Sequence, residues 1–180
     1  MPVPGTPETL APMTMLRPLS IDDLSTARYI HTASFSGSAQ EHYSAADIEA
    51  FTAFVRSPRY ADLLLGNNSI AAWIEQEMVG TAAWSRGEGR SPTARLIMVA
   101  VRPLFTGEGI GRLLVDHVER EAHEAGYPAL EVSATLNAVG FFEELGFRIV
   151  RSGGWALPLG REIPVAFMRK AEFVGLHAVS

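Results

Sequence analysis

The chain has 180 residues, 47% of them hydrophobic, a net charge of −5 and no cysteine. That length suits one domain with a sizeable core, the apolar content argues against disorder, and the lack of cysteine excludes disulfides, cysteine nucleophiles and thiolate metal sites. No apolar run reaches the roughly 18 residues of a membrane span, and no basic stripe marks a nucleic-acid binder.

In chain order, MPVPGTPETLAP has neither a basic start nor an apolar run, so a secretory signal is not expected. Residues 1–12 read as a flexible tail, 13–172 as a single domain and 173–180 as a second tail. Met13–Leu19 is short, apolar and carries Pro18, and reads as a first strand. Ser20 with Asp22 and Asp23 is a helix start, followed by Leu24, Ala27, Ile30 and His31 at helical spacing. This makes His31 a partly buried helix residue. A second helix is expected after Ser44, with Ile48, Phe51, Phe54 and Val55 on one face.

Ser69–Glu75 and Met78–Arg86 flank Gln76-Glu77 as a hairpin, with Trp73 and Trp84 as packing residues, and Gly87–Pro92 is a loop by composition. Ala94–Val101 reads as a strand buried on both faces, stopped by Pro103. Gly109–Gly126 is the clearest helix. Ile110, Leu113, Leu114, Val118 and Ala122 form its apolar stripe, and His117 and His123 are expected to face solvent. Ala129–Ala134 is a strand, Asn137–Leu145 a short helix, Phe147–Arg151 a strand, Pro158–Glu162 a turn and Ile163–Arg169 the last strand. Seven strands with interspersed helices and no repeat indicate a mixed α/β fold around one sheet.

The stretch Val99–Arg112 (VAVRPLFTGEGIGR) carries the chemistry. It is a strand, a turn, then alternating glycines at the mouth of a strong helix. Such glycines let several backbone N–H groups converge on one point. The helix N-terminus adds a positive partial charge that favours an anion by ~0.3–1 kcal/mol. Arg112 can add a charge-assisted contact. A nucleotide P-loop needs Lys and Ser/Thr after the last glycine, but Arg112 and Leu113 stand there. A dinucleotide fold needs a third glycine where Arg112 stands. Glu131 lies about 20 residues on and imitates that fold's acidic residue, but too little chain follows it for the remaining strands.

These residues resemble the GNAT N-acyltransferase family. Thr106-Gly107-Glu108-Gly109-Ile110-Gly111 resembles the family's Gln/Arg-x-x-Gly-x-Gly/Ala pattern. Leu130–Phe147 (LEVSATLNAVGFFEELGF) resembles its later strand and the helix ending in Tyr-Glu-x-x-Gly-Phe. Leu157–Lys170 is similar to its closing hairpin, and His42-Tyr43-Ser44 to one bacterial subgroup.

The resemblance implies a central mixed, mostly antiparallel sheet of about seven strands, flanked by four helices and splayed in the middle for coenzyme A. It implies acetyl-CoA as acyl donor and a small-molecule or peptide amine as acceptor. On that reading the backbone of Val99, Ala100 and Val101 pairs with the pantetheine arm. Thr106, Gly107, Glu108, Gly109, Ile110, Gly111 and Arg112 surround the pyrophosphate, and Asn137 and Phe142 approach the cofactor arm. Homodimers are common in the family, and a cytoplasmic location fits the absence of cysteine.

Two departures stand out. Thr106 replaces the usual Gln or Arg, and Phe142 replaces the Tyr thought to protonate the departing thiolate. Candidate groups for proton transfer are Glu131 and Tyr43, with His42 and Tyr43 in the expected substrate pocket; a solvated strand-end carboxylate and a helix-entry loop are the structural alternatives. No His, Asp or Glu spacing suggests a metal. The functions left open are an acetyl-CoA-dependent N-acetyltransferase, an idle acyl-CoA-binding sensor or partner-binding module, and a dinucleotide oxidoreductase.

Overall fold

The computed structural model describes residues 13–171; the tails expected over 1–12 and 173–180 lie outside the described residues. Seven strands form one sheet: β1 (Thr14–Pro18), β2 (Asn68–Ile74), β3 (Glu77–Ser85), β4 (Thr93–Val101), β5 (Ala129–Thr135), β6 (Arg148–Leu157) and β7 (Arg161–Lys170). Their order across the sheet is β1-β2-β3-β4-β5-β7-β6. Every neighbouring pair is antiparallel except β4 and β5, which run parallel. A parallel pair needs a long crossover. Here it is the helix α4 (Ile110–Glu124).

The other helices are α1 (Leu24–Ser38), α2 (Ala45–Arg56), α3 (Pro58–Leu65) and α5 (Val139–Glu144). There are thus five where the sequence suggested four. The unexpected one, α3, is short, but it has a clear start: Ser57 accepts from the Tyr60 N–H and Pro58 opens the helix. Helix α2 begins in a capping box, with Ser44 and Asp47 satisfying each other's backbone N–H groups.

The sheet is covered on both faces. α4 and α5 pack on one face through Leu114, Val118 and Phe142 against Leu96, Val132 and Met168. α1, α2 and α3 pack on the other through Phe35, Phe51, Phe54 and Tyr60 against Ile163 and Val165. Alternation along β5 assigns its faces: Leu130, Val132 and Ala134 are buried beneath α4 and α5, whereas Glu131 and Ser133 turn to the opposite face and are exposed. Among the described residues no helix is long and apolar enough to cross a membrane.

Several local expectations need correction. The β2–β3 turn falls at Glu75-Gln76, where Glu75 takes a φ of 55°. Leu113 is partly exposed and Val115 replaces it in the buried stripe of α4. β6 extends to Leu157, through two glycines that hide its strand pattern. The turn before β7 shrinks to residues 158–160. β4 is not buried on both faces: Arg95 is exposed and Ile97, Met98 and Val99 are only half-buried. The cover is lost where β4 parts from β5, after Leu96↔Val132.

Candidate active site

β4 and β5 pair only from Thr93↔Ala129 to Leu96↔Val132. Beyond that point they diverge. On its other edge β4 stays bonded to β3, with Ala83↔Ile97, Thr81↔Ala100 and Gly80↔Val101 and a bulge between. Met98, with a φ of 56°, sits in that bulge. Arg102 N–H donates to Val79 O at 2.8 Å. By strand alternation, the backbone groups of Ala100 and Arg102 therefore serve β3, while those of Val99 and Val101 face the gap left by β5. An extended chain laid in that gap finds a ready row of donors and acceptors.

The bulge is braced from α1. His31 is buried. Its Nδ1 lies 2.6 Å from the Tyr60 hydroxyl and 3.0 Å from Ala27 O, and its Nε2 lies 3.5 Å from Thr81 Oγ1. Thr81 Oγ1 donates to Met98 O at 2.8 Å. The direction of these contacts follows the tautomer: with the ring proton on Nδ1, His31 donates to the Ala27 carbonyl, and with the proton on Nε2 it donates toward Thr81 and accepts from the Tyr60 hydroxyl. Burial pushes the imidazole below its ordinary value, and the Ala27 and Met98 carbonyls only partly oppose this. Burial likewise raises the Tyr60 hydroxyl well above its ordinary value. The sequence marked His31 as a partly buried helix residue; its contact with a strand 50 residues away has no local signature.

At the end of β4 the chain makes a 3-10 turn over Pro103–Phe105 and enters α4 through Thr106-Gly107-Glu108-Gly109. Gly107 and Gly109 have φ values of 85° and 81°, with nothing within 4 Å of an added Cβ. Their glycine is thus required by backbone conformation, not by crowding. Gly111 is different: a Cβ there would meet the Phe141 ring at 2.9 Å and Val101 Cγ2 at 3.6 Å. This close approach seats the mouth of α4 against β4 and α5, beside the gap. The first-turn N–H groups of α4, from Ile110 to Arg112, have no acceptor within their own helix, and Thr106 to Gly109 are exposed. The loop is therefore an open, backbone-built anion nest.

The gap opens into a cavity of about 500 Å³ lined from both faces of the sheet, by Phe142 on the α4–α5 side and by Phe35, Phe51 and Phe54 on the α1–α3 side. Val99, Ala100, Glu131, Asn137 and Phe142 all line it. Thus two of the predicted β4 residues, the predicted carboxylate and both residues expected near the cofactor arm come together. Asn137 Nδ2 donates to Ser38 Oγ at 2.7 Å, while its Oδ1 is buried with no hydrogen-bond partner among the described residues. A buried unpaired carbonyl costs about 1–3 kcal/mol, so a donor on a bound molecule is well placed to relieve it. Phe142 is buried against Phe141 and Phe147, with ring centroids 5.0 and 5.5 Å away.

His42 and Tyr43 do not join the cavity lining. His42 is exposed. Tyr43 is buried, and its hydroxyl donates to Pro164 O at 2.6 Å and accepts from the Leu136 N–H at 2.9 Å. Burial raises its ionisation above the ordinary value. Tyr43 ties α2's entry to β7 and to the end of β5, and its hydroxyl is committed. Sequence reasoning missed Arg59, Arg151 and Trp155, which line the cavity from α3 and β6. α3 was not expected and the expected strand Phe147–Arg151 stopped short of Trp155; Arg151 lay within it, without a local sign of its place in the cavity. Among the described residues no group of three or more His, Asp or Glu is placed to hold a metal.

Comparison with known proteins shows the family and the fold. A family model described as an acetyltransferase (GNAT) domain matches residues 39–154. A Bacillus subtilis (strain 168) protein assigned to the acetyltransferases is 32% identical over 79 residues, 44% of this chain and 52% of that protein. The match thus spans about half of that relative's length. Among solved structures, a GCN5-related N-acetyltransferase (aminotransferase, class-II) from Rhodopseudomonas palustris aligns with a TM-score of 0.79 and 25% identity, over 90% of this chain and 98% of that one. The PaiA N-acetyltransferase from Thermoplasma acidophilum, solved with coenzyme A, has a TM-score of 0.68 at 19% identity, over 88% and 99%. YncA from Salmonella typhimurium, solved with acetyl-CoA, has a TM-score of 0.58 at 20% identity, over 93% and 98%. These last two likenesses are of fold.

Proposed function

The chain belongs to the GNAT acetyltransferase family, and from that premise we propose that it moves an acetyl group from acetyl-CoA to a primary amine by direct attack in a ternary complex. The observation that carries this reading is the junction of two features: a strand whose inner backbone edge is freed by the β4–β5 splay, and a glycine nest at the helix mouth beside it. An extended pantetheine-like arm fits the first and a pyrophosphate fits the second. Val99 and Val101 offer the backbone edge, residues 106–112 the nest, and Asn137 Oδ1 an unpaired acceptor.

Acetyl-CoA supplies an activated acyl carbon and a thiolate that can leave. The chain's own residues have three tasks. The backbone N–H groups on the inner edge of β4 can stabilise charge developing on the acyl oxygen. Glu131, exposed on β5 and lining the cavity, takes up the proton the amine must lose, directly or through water; a lysine-like amine has a pKa of ~10.4 and arrives charged at neutral pH. The carbon–sulfur bond breaks as the carbon–nitrogen bond forms. The returning proton comes from water, since Phe142 has no hydroxyl and that of Tyr43 is committed elsewhere. A thiol with a pKa of ~8.5 tolerates this.

The same two observations favour a second reading, an acyl-CoA-binding sensor with little turnover. Calorimetry with acetyl-CoA and with NAD, followed by thiol release over a panel of amines, tests both. Acetyl-CoA binding with amine-dependent thiol release is expected. Binding without release on any amine selects the sensor, and preferential NAD binding overturns both.

A further inference from the structure

The charge of the cavity runs against the charge of the chain. The chain carries −5, yet Arg59, Arg95 and Arg151 line the cavity against the single carboxylate of Glu131. Arg95 is paired with Glu88 at 3.3 Å, outside the cavity lining. Arg59 and Arg151 have no carboxylate within ion-pair distance among the described residues. Their partners are aromatic: Arg151 lies 3.8 Å over the Phe167 ring and Arg59 6.0 Å from that of Phe54.

Arg151 is held by design of the strand beneath it. A Cβ at Gly153 would collide with the Phe167 ring, so the ring keeps this place only because that residue is glycine, and the Arg151 guanidinium lies over the ring so placed. Stacking orients a guanidinium while leaving its N–H fork free for a carboxylate. One wall is aromatic: Phe51 and Phe54 both pack edge-on to Trp155, with centroids 6.1 and 5.0 Å away.

We infer that the acceptor is an aromatic α-amino acid, a zwitterion with a ring-sized apolar side chain, and not a polyamine or a simple alkylamine. Arg151, aided by Arg59, takes the carboxylate. The Phe51, Phe54 and Trp155 wall takes the side chain. Glu131 faces the ammonium. A zwitterion adds no net charge to this lining: its carboxylate meets a guanidinium that has no carboxylate partner among the described residues, and its ammonium meets the carboxylate of Glu131, which receives the proton the amine gives up. A polyamine would instead bring several positive charges to a lining already in cationic excess, which is electrostatically unfavourable.

This rests on the amine-transfer reading, so the test separates the two. Binding is followed first, without turnover, by quenching of tryptophan fluorescence on titration with phenylalanine, 2-phenylethylamine, alanine and spermidine, with Trp155→Phe to assign the signal. Thiol release from acetyl-CoA is then measured with the same four. Phenylalanine is expected to bind at least tenfold tighter than either the amine lacking a carboxylate or the amino acid lacking a ring, and Arg151→Gln to narrow that gap. Equal or tighter binding of 2-phenylethylamine or spermidine, or no detectable binding of phenylalanine, overturns the inference. Phenylalanine binding without thiol release leaves the recognition standing and removes the transferase reading instead.

Discussion

The two ends of the cleft are built by opposite means. The nest at the mouth of α4 comes from one continuous stretch, Thr106 to Arg112, and acts through backbone groups set by the φ values of Gly107 and Gly109. The cavity at the other end is assembled from side chains on α1, α2, α3, β5, β6 and β7, separated by more than a hundred residues. On the proposed reading the first meets the pyrophosphate of the acyl donor, a group that does not vary with the acceptor. The second has walls whose residues can change without disturbing the nest. The contrast teaches why a shared donor can coexist with varied acceptors on one fold.

The comparison can be broken most forcefully at Glu131. If the cavity end handles the proton, Glu131→Gln lowers kcat about 100-fold at neutral pH, within the range of general base catalysis, and the loss shrinks at high pH as the amine deprotonates unaided. CoA affinity, read by calorimetry, stays unchanged. A drop in CoA affinity with kcat intact would assign Glu131 to the donor end.

The nest is tested by Gly109→Val. A β-branched residue in the left-handed region costs roughly 1–2 kcal/mol, so CoA binding should weaken about tenfold while the cavity still quenches with acceptor. Because no atom lies within 4 Å of the added Cβ, steric collapse is not an alternative explanation, and a melting temperature lowered by no more than the roughly 2–8 °C that such strain costs checks this. Unchanged CoA affinity would remove the nest from the site.

A third test addresses the brace between the two ends. His31 has a folded-state value below its ordinary 6.5. Above pH 6.5 it is neutral folded and unfolded. As pH falls below 6.5 the unfolded chain takes up a proton that the folded chain resists, so the stability due to neutral His31 is present above that value and lost as pH falls. Urea midpoints should therefore decline from pH 6.5 downward, and His31→Gln should flatten that decline while lowering stability at neutral pH by about 1–3 kcal/mol through the partner left at Tyr60. Asp47, held below its ordinary value chiefly by Arg161, adds a loss of the same sign that begins nearer its ordinary 3.8.

The smallest effect is expected at Phe142→Tyr. A hydroxyl at the cleft raises kcat by about tenfold or less, because the leaving thiolate is already tolerable. A kcat left untouched would show that no acid is missing.

The glycine loop, α4 and the alternating strand β5 were legible in the sequence because each is local: periodicity marks the buried face, and glycines at a helix start mark the nest. Glu131 and Asn137 could be named for the same reason, as residues within a motif. Tyr43 could be named but not interpreted, since its hydroxyl is consumed by Pro164 and Leu136, far along the chain. Helix α3 and the second half of β6 were hidden, one by its brevity and the other by Gly153 and Gly154, and with them went Arg59 and Trp155; Arg151 fell within the expected strand, but its place in the cavity depends on packing between distant elements. The sequence by itself determined the order of elements and the donor end, because backbone conformation is set by near neighbours. Only the tertiary structure decided how far β4 parts from β5, which polar groups are spent on the fold, and which charges meet in the cavity, because those depend on packing between elements that the chain brings together only once it has folded.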